Sequence, residues 1–431
     1  MKAVVSNRIY FTATPEQLHE VRTALTYKIE VKGATRGGKA VKTIEIIRNY
    51  KMLPKNIISI PQGRFDLIPD GYEIIDKRIK IDMPFPDPLM GLRPGQQEVF
   101  DAVDDTSFIN ALVGWGKTYT ALHIARKLGQ KTLVITHTTM LRDQWIAEIK
   151  SLFDMDVGII GSGQFDIDHA IVVGNIQTVT KHTLALAKEF GTVIMDEAHH
   201  CPATTFTNLM DSMHARYRLG LSGTVLRKDG KHILFNDFFG HTVHKPAQSH
   251  TLNPVITIVK SGIMLTPGEV WVKKINNLLY DEDYQKYIAG MAASQVAIGH
   301  KVLVIADRVE FLQNIKEILG EKCMLVTGET SLEDRQSLGA RLEAQEIGCI
   351  AGSRQIFSEG ISINALSCLI LATPIANEIS LEQLIGRIMR MHPNKLLPRV
   401  LDINFSGGAD RKQNNLRLQF YLNKGWEIET I

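Results

Sequence analysis

The segment Ala111–Thr118 (ALVGWGKT) combines glycines, a lysine and a threonine, the residue types that bind the phosphates of a nucleotide. Gly114 and Gly116 allow backbone N–H groups to turn toward phosphate oxygens, and the helix predicted to follow adds its positive end. We expect Lys117 to contact the β- and γ-phosphates and the Thr118 hydroxyl to bind Mg²⁺. The strict pattern has glycine at the first position, where this chain has alanine. A glycine-rich turn with a chance lysine is the alternative, but a predicted strand, the glycines, the Lys-Thr pair and a predicted helix coincide here.

Two adjacent carboxylates, Asp196 and Glu197, follow the apolar run Thr192–Met195. A carboxylate at the carboxyl end of a parallel strand lies in the crevice where ligands bind. We expect Asp196 to bind Mg²⁺, directly or through water, and Glu197 to orient and deprotonate the attacking water. Neighbouring carboxylates repel each other, so the pair favours a site that also holds a cation. An acidic cap at the start of a helix is the alternative interpretation.

Composition limits the class of protein. The 431 residues, 44% hydrophobic and 22% charged, are typical of a globular chain with two or three domains. The four cysteines are scattered and form no C-x-x-C pair, which argues against a disulfide scaffold or a cysteine zinc site. No apolar run approaches the ~18 residues of a membrane span, and Met1–Phe11 lacks a signal-peptide core. We therefore expect a soluble protein of the cytoplasm.

Charge and prolines divide the chain into parts. Residues 1–82 carry 15 Lys and Arg against 9 Asp and Glu, whereas the remainder has a net charge of −3. We predict that 1–82 form a separate basic α+β domain. Met83–Gly91 contains three prolines in nine residues and is predicted to be a semi-rigid linker.

From residue 92 onward, short apolar runs alternate with longer amphipathic segments, which is typical of βαβ units and parallel sheets. We predict two successive α/β domains, 92–250 and 251–431. The first has predicted strands at 108–113, 132–136, 170–173, 192–196 and 218–221. The second has predicted strands at 255–259, 301–305, 324–326, 349–352, 368–372 and 400–403. A helix is predicted at 411–421, docked on the second domain.

Further motifs resemble those of the superfamily 2 helicases, specifically the DExH branch. In that family alanine is normal at the first phosphate-loop position. The other matching segments, in chain order, are Leu92–Gln96, His137–Trp145, Gly174–Thr178, Ser222–Thr224, Thr327–Glu329, Gly352–Ser362 and Gln383–Arg390. Three positions depart from the family pattern, at Gly95, His137 and Ser362. Two stretches, Leu226–Lys231 and Gly360–Ser362, look like the phage UvsW-type subgroup.

This resemblance implies two tandem RecA-like domains that use ATP and Mg²⁺. Residues implied in nucleotide binding are Arg93, Gln96, Gly114, Trp115, Gly116, Lys117, Thr118 and Gly360. Residues implied in hydrolysis from the second domain are Gln383, Arg387 and Arg390. We expect Arg387 and Arg390, three positions apart, to share one helix face and to act on the γ-phosphate. A basic helix face exposed to solvent is the alternative.

The family pattern also implies contacts to a nucleic-acid backbone, which carry no sequence information. Their candidates are Thr138, Gln177, Thr327, Gly328 and Ser353, although each threonine or serine could instead cap a helix or a turn. In the basic domain, Lys32, Arg36 and Lys39 lie among glycines and suit capture of duplex phosphates; a solvated hairpin is the alternative.

The resemblance finally implies an ATP-dependent DNA helicase or translocase that remodels or branch-migrates forked and junction DNA. We leave three alternatives open, namely a duplex translocase that does not separate strands, an RNA helicase, and a nucleotide-gated clamp without turnover. We expect DNA and no membrane as partner, and a monomer is plausible.

Overall fold

A computed structural model describes residues 1–36, 39–111, 114–198, 203–223, 231–246, 251–265, 269–359, 361, 363–375, 377–406 and 408–431. The chain forms two compact units. The first comprises Met1–Leu112 and Gly116–Ala247, and the second comprises Val113–Trp115 and Gln248–Ile431. None of the helices in the described ranges combines the length and the apolar character that crossing a membrane requires.

The first unit begins with a small α+β part. Its elements are β1 (Lys2–Val5), β2 (Arg8–Thr12), α1 (Pro15–Ala24), β3 (Thr26–Arg36), β4 (Lys39–Arg48), β5 (Lys51–Leu53), β6 (Ile57–Pro61) and β7 (Glu73–Asp76). In the described chain, strands pair in the order β5-β6-β2-β1-β7, and β3 and β4 form a separate antiparallel hairpin. The Thr14 hydroxyl accepts the Gln17 N–H at the start of α1. Ile9, Phe11 and Ile58 belong to a core that this part encloses by itself.

The rest of the first unit is a parallel α/β fold. Its elements are α2 (Pro94–Ala102), β8 (Ser107–Asn110), α3 (Lys117–Leu128), β9 (Thr132–Thr136), α4 (Thr139–Phe153), β10 (Gly158–Gly161), β11 (Gln164–Phe165), β12 (Ile171–Asn175), α5 (Ile176–Val179), α6 (Thr183–Leu186), β13 (Thr192–Met195), α7 (Ala203–Ser212), β14 (Tyr217–Ser222), α8 (Leu234–Phe239) and β15 (Val243–His244). Among the described strands the order is β11-β10-β12-β9-β13-β14-β8-β15, and only the β10–β11 pair is antiparallel. The carboxyl ends of β8, β9, β12, β13 and β14 therefore meet at one edge of the sheet.

A buried carboxylate in α8 attaches the α+β part to this sheet. Asp237 has no exposed surface and accepts hydrogen bonds from Asn49 Nδ2 at 2.6 Å, Tyr27 Oη at 2.8 Å and Arg64 Nη1 at 3.1 Å. Burial raises the pKa of Asp237, and the three donors oppose that rise. Tyr27 lies in β3 and Asn49 directly follows β4, so Asp237 holds the base of the β3–β4 hairpin from both strands.

A second carboxylate, at the end of α7, makes similar contacts. Asp211 forms ion pairs with Arg8, which is buried, and with Lys51 Nζ at 3.0 Å. Its backbone carbonyl accepts a hydrogen bond from Asn7 Nδ2 at 2.6 Å. The α+β part is therefore joined to the parallel sheet by buried charges.

The proline-containing segment Met83–Gly91 lies against the parallel part of the first unit. Phe85 is buried and packs edge-to-face on Phe153, with ring centroids 5.8 Å apart. The Leu89 N–H donates to the Leu152 carbonyl at 2.8 Å. The prolines prevent regular structure, as expected, but the apolar residues between them anchor the segment.

The second unit is also a parallel α/β fold. Its elements are β16 (Val255–Met264), α9 (Trp271–Tyr280), α10 (Glu282–Ala297), β17 (Val302–Ala306), α11 (Val309–Leu319), β18 (Cys323–Val326), α12 (Leu332–Glu343), β19 (Cys349–Ser353), α13 (Arg354–Glu359), β20 (Cys368–Leu371), α14 (Glu378–Ile388), β21 (Arg399–Ser406), α15 (Gly408–Asn423) and β22 (Glu427–Thr430). In the described ranges the strands are parallel, with the order β18-β19-β17-β20-β21-β16-β22. Helix α15 contains the predicted helix 411–421 and docks on β21, where Arg417 Nε and Tyr421 Oη both bond to Asp402 Oδ2.

The predicted fold class is confirmed, since both units contain parallel α/β sheets. Every strand predicted from residue 92 onward has an observed counterpart, with ends that differ by up to five residues. Four strands were not predicted, namely β10, β11, β15 and β22. They are short or polar, and three of them, β11, β15 and β22, lie at sheet edges. The domain boundaries at residues 82 and 91 stay predictions.

Candidate functional site

The predicted phosphate loop connects β8 to α3 in the first unit. Lys117 is the first residue of α3, and it is buried. Its ammonium Nζ donates to the Ala111 carbonyl at 3.0 Å and lies 3.7 Å from Glu197 Oε1. Thr118 follows in the same turn and is half-buried. The loop thus holds an ammonium group at the positive end of α3, where phosphate groups bind in other proteins.

The matched segment Leu92–Gln96, which is implied in nucleotide binding, contacts this loop. Gln96 is buried in α2, and its Nε2 donates to the Gly116 carbonyl at 3.3 Å. Its Oε1 accepts the Arg93 backbone N–H at 3.0 Å and Arg93 Nε at 3.2 Å. Burial lowers the pKa of Arg93. Gln96 therefore ties the start of α2 to the phosphate loop.

Gly116 has a backbone conformation that other residues rarely adopt. Its φ is +97°, and an added Cβ would lie 2.3 Å from Gln96 Nε2 and 2.9 Å from Arg93 Nη2. We expect Gly116→Ala to displace Gln96 and to strain the loop by about 1–3 kcal/mol. Binding of a fluorescent ADP analogue should weaken by roughly tenfold or more, because ~1.4 kcal/mol corresponds to a factor of ten.

The matched control for this substitution is Gly129→Ala. Gly129 also has a positive φ, +62°, but it follows the far end of α3, and its added Cβ would meet only the Arg126 carbonyl at 3.9 Å. We expect this variant to bind the analogue like the parent protein. Equal affinities for the two variants would contradict the role given to Gly116.

Asp196 follows β13 and is buried. Burial and the negative charge of Glu197 raise its pKa to about 6, whereas a hydrogen bond from Trp145 and the Lys117 ammonium lower it. A buried carboxylate beside a second carboxylate is costly unless a cation lies close by, so these residues fit Mg²⁺. Within the described chain, no cluster of three or more His, Cys, Asp or Glu could hold a metal ion by itself. Mg²⁺ in phosphoryl-transfer sites commonly uses one or two protein ligands and the phosphates of the substrate.

Glu197 adopts a left-handed backbone conformation with φ of +45°, which is uncommon for a residue with a side chain. Its Oε1 faces Lys117, and its Oε2 accepts the Gly223 N–H at 3.4 Å. Gly223 follows β14, in the matched segment Ser222–Thr224. The carboxylate of Glu197 is thus held between the phosphate loop and the end of β14.

The candidate nucleic-acid contacts of the first unit follow β9 and β12. The Thr138 hydroxyl accepts the Leu141 N–H at 3.2 Å and caps α4, which is the alternative given for this residue. Gln177 is exposed in α5, and its Nε2 donates to the His137 carbonyl at 3.4 Å. The structure therefore brings these two loops together beside Asp196.

In the second unit, Thr327 and Gly328 form a turn after β18. Thr327 is buried, and its hydroxyl accepts the Glu329 N–H at 3.3 Å. Arg335 in α12 donates through Nη2 to the Thr327 and Gly328 carbonyls at 3.1 and 2.9 Å. Ser353 is half-buried at the carboxyl end of β19, the strand next to β18. These candidates share one edge of the second sheet.

The prediction that Arg387 and Arg390 share one helix face is wrong. Gln383 and Arg387 are buried in α14, where Arg387 Nε donates to the Phe357 carbonyl at 3.0 Å. The helix ends at Ile388, and Arg390 instead forms a β-bridge with Thr251. A neighbouring bond from the Leu252 N–H to the Met389 carbonyl competes with further helical turns. Arg390 Nη1 donates to Asn364 Oδ1 at 3.3 Å.

Some predicted site residues lie outside the described part of the structure. These are Gly360 and the side chains of Lys32, Arg36 and Lys39. Trp115 is described and buried.

Three residues near the candidate sites were missed by the sequence analysis. Trp145 donates from Nε1 to Asp196 Oδ2 at 2.7 Å, and Arg335 holds the Thr327 turn. Lys395 Nζ donates to the Arg390 and Asn364 carbonyls at 2.7 and 3.0 Å, and burial lowers its pKa to about 7. Of these three residues, only Trp145 lies in a matched segment. The signal there is that the N–H of a buried tryptophan needs a hydrogen-bond acceptor.

Comparisons with known proteins match both units. The family model "Type III restriction enzyme, res subunit" matches residues 89–227, and "Helicase conserved C-terminal domain" matches residues 283–392. The probable helicase D10 of Escherichia phage T5 is 40% identical over 440 residues, which cover 100% of this chain and 96% of that protein.

Two further similarities are more distant. The ATP-dependent DNA helicase uvsW of Enterobacteria phage T4 is 25% identical over 320 residues, which cover 68% of this chain and 63% of that protein. The structure of S. cerevisiae Dbp5 bound to RNA and ADP BeF3 has a TM-score of 0.56 and 11% identity, covering 79% of this chain and 94% of that chain. The second similarity shows the fold alone.

Proposed function

Because the chain belongs to the superfamily 2 helicases and is a nucleic-acid-dependent ATPase, we propose that it is a DNA helicase or translocase that remodels forked and branched DNA. One observation carries the proposal. The Lys117 ammonium, the Glu197 carboxylate and the buried Asp196 converge at the edge of one parallel sheet, with Lys117 and Glu197 3.7 Å apart.

This arrangement supports a separate role for each of these residues in ATP hydrolysis. Lys117 neutralises charge on the β- and γ-phosphates, and Asp196 with Thr118 would hold Mg²⁺. Mg²⁺ supplies charge neutralisation at the phosphate oxygens when it is bound. Glu197 orients the attacking water and accepts its proton, and the Gly223 N–H fixes the carboxylate. Gln96 and Arg93 position the nucleotide through the phosphate loop.

The second unit is assigned the remaining roles by the family pattern. Gln383, Arg387 and Arg390 act on the γ-phosphate, whose developing charge a guanidinium group stabilises. Thr327, Gly328 and Ser353 contact the nucleic-acid backbone, together with Thr138 and Gln177 of the first unit. Because backbone contacts dominate, binding should have weak sequence preference and a steep dependence on salt.

DNA is favoured as the substrate by the name of the phage T4 relative, a DNA helicase. The basic α+β part is assigned to duplex arms, since residues 1–82 carry an excess of positive charge. RNA is the second candidate, because superfamily 2 folds also bind RNA, as in Dbp5.

The deciding experiment measures ATPase rates with single-stranded DNA, duplex DNA, forks, four-way junctions and RNA at matched nucleotide concentration. We expect the largest stimulation with forks or four-way junctions. Stimulation by RNA alone would overturn the DNA assignment. Strand displacement and triplex displacement are then compared, and triplex displacement without strand separation would identify a duplex translocase instead.

A further inference from the structure

The indole of Trp145 lies inside the first unit and touches the candidate Mg²⁺ ligand. Its side chain is 1% exposed, and Nε1 donates to Asp196 Oδ2 at 2.7 Å. The other oxygen of that carboxylate, Oδ1, accepts the Glu197 N–H at 2.9 Å. Each carboxylate oxygen therefore has one fixed donor and keeps lone-pair capacity for a cation. The two donors together set the direction in which the carboxylate faces.

Trp145 belongs to the helix that begins at the loop of Thr138, a candidate nucleic-acid contact. Helix α4 starts directly after Thr138, whose hydroxyl caps it, and Trp145 lies seven residues further along. At 1.5 Å per residue this is about 10 Å along the helix axis. A rigid helix therefore connects the loop that carries Thr138 to the indole that holds Asp196.

The same helix is also fixed to the neighbouring loop. Arg142 is buried in α4, and its Nη1 donates to Asn175 Oδ1 at 3.3 Å and to Ser162 Oγ at 2.9 Å. Asn175 ends β12 and directly precedes the helix that carries Gln177. Both candidate strand-contacting loops of this unit are thereby tied to α4.

We propose that Trp145 is a positioning residue that links nucleic-acid binding at the start of α4 to the Mg²⁺-binding carboxylate Asp196. The inference rests on the proposed function and concerns how nucleic-acid binding and Mg²⁺-nucleotide binding affect each other within the same site. A nucleic-acid strand bound at Thr138 and Gln177 fixes the position of α4. Because the indole N–H of Trp145 is bonded to Asp196, the position of α4 then fixes the orientation of that carboxylate. By linkage, Mg²⁺-nucleotide binding must then favour strand binding by the same factor.

The first test measures metal-dependent nucleotide binding without turnover. Binding of mant-ADP is titrated in Mg²⁺ and in EDTA for the parent protein and for Trp145→Phe, which removes the N–H and keeps an aromatic ring. Loss of a partner that orients a metal ligand typically lowers metal affinity by about 10- to 100-fold. We expect the ratio of mant-ADP affinity in Mg²⁺ to that in EDTA to fall by about that factor in the variant, while the affinity in EDTA stays the same. An unchanged ratio overturns the proposal.

The second test measures the coupling itself. The affinity for mant-ADP with Mg²⁺ is compared with and without a saturating single-stranded oligothymidylate. Coupling between sites is typically about 5- to 150-fold, and we expect it in the parent protein and its loss in Trp145→Phe. Coupling that persists at the parent value in the variant overturns the proposal.

Two controls separate this role from packing. Trp426→Phe changes another buried indole, which packs on Phe420 in the second unit. It should leave unchanged both the effect of Mg²⁺ and the effect of oligothymidylate on mant-ADP affinity. Replacing the Trp145 indole with a benzothiophene ring removes the N–H at constant shape, so it should reproduce Trp145→Phe even if the phenylalanine variant folds poorly. A parent protein that binds no mant-ADP would overturn the proposed function itself, whereas normal parent binding with unaltered variants overturns only the inference.

Discussion

Lys117→Ala should abolish nucleic-acid-stimulated ATP turnover, with a loss of at least about 1,000-fold in kcat/KM. The substitution removes the ammonium group that the loop places at the positive end of α3, and it leaves Asp196 and Glu197 without their nearby cation. Nucleotide affinity should fall as well, because the charge acts on the phosphates in the ground state and in the transition state. Steady-state ATPase assays with a forked DNA, together with mant-ADP titration, measure both effects.

Lys127→Ala is the matched control for that substitution. Lys127 lies near the opposite end of α3, where Nζ pairs with Asp104. Its removal should leave turnover within a small factor of the parent value. Stimulated turnover that persists in Lys117→Ala would disprove the phosphate-loop assignment.

Glu197→Gln should lower kcat by about 100- to 10,000-fold while nucleotide and nucleic acid still bind. Glutamine keeps the size of the side chain and an oxygen for the Gly223 N–H, but it cannot accept a proton from water. The effect should therefore appear in single-turnover hydrolysis and not in mant-ADP affinity. This separation distinguishes Glu197 from Lys117, whose loss affects both.

The control here is Glu189→Gln, which changes a carboxylate close to the amino end of β13, the opposite end from Asp196. It should hydrolyse ATP at the parent rate. If Glu197→Gln also retained the parent rate in a single turnover, another group would have to deprotonate the water.

Local sequence was sufficient for the parts of the site that depend on neighbouring residues. The phosphate loop and the Asp196–Glu197 pair were predicted because each directly follows an apolar strand, and the carboxyl ends of parallel strands meet at one edge. The bond between Trp145 and Asp196 joins residues 51 positions apart, so it depends on how α4 packs on the sheet and has no local signal.

Competition between local and distant contacts explains the main error. The spacing of Arg387 and Arg390 fits a helix face, and propensity alone would continue α14 through both. Pro393 disfavours helix at the preceding residue, and the backbone of Arg390 forms a β-bridge with Thr251 instead of a further helical turn. The proline-containing segment was similarly predicted as a linker, because the burial of Phe85 requires knowledge of the surface it packs on.

The buried anions of α7 and α8 constrain how this protein can be shortened or recombined. A cut at residue 82 would strip Asp237 of Asn49, Tyr27 and Arg64, and would strip Asp211 of Arg8. Breaking one such buried pair typically costs about 3–5 kcal/mol, a large share of the stability of an ordinary domain. Loss of duplex binding in a truncated version would therefore reflect misfolding. A chimera with a related protein should exchange residues 1–82 together with both α7 and α8.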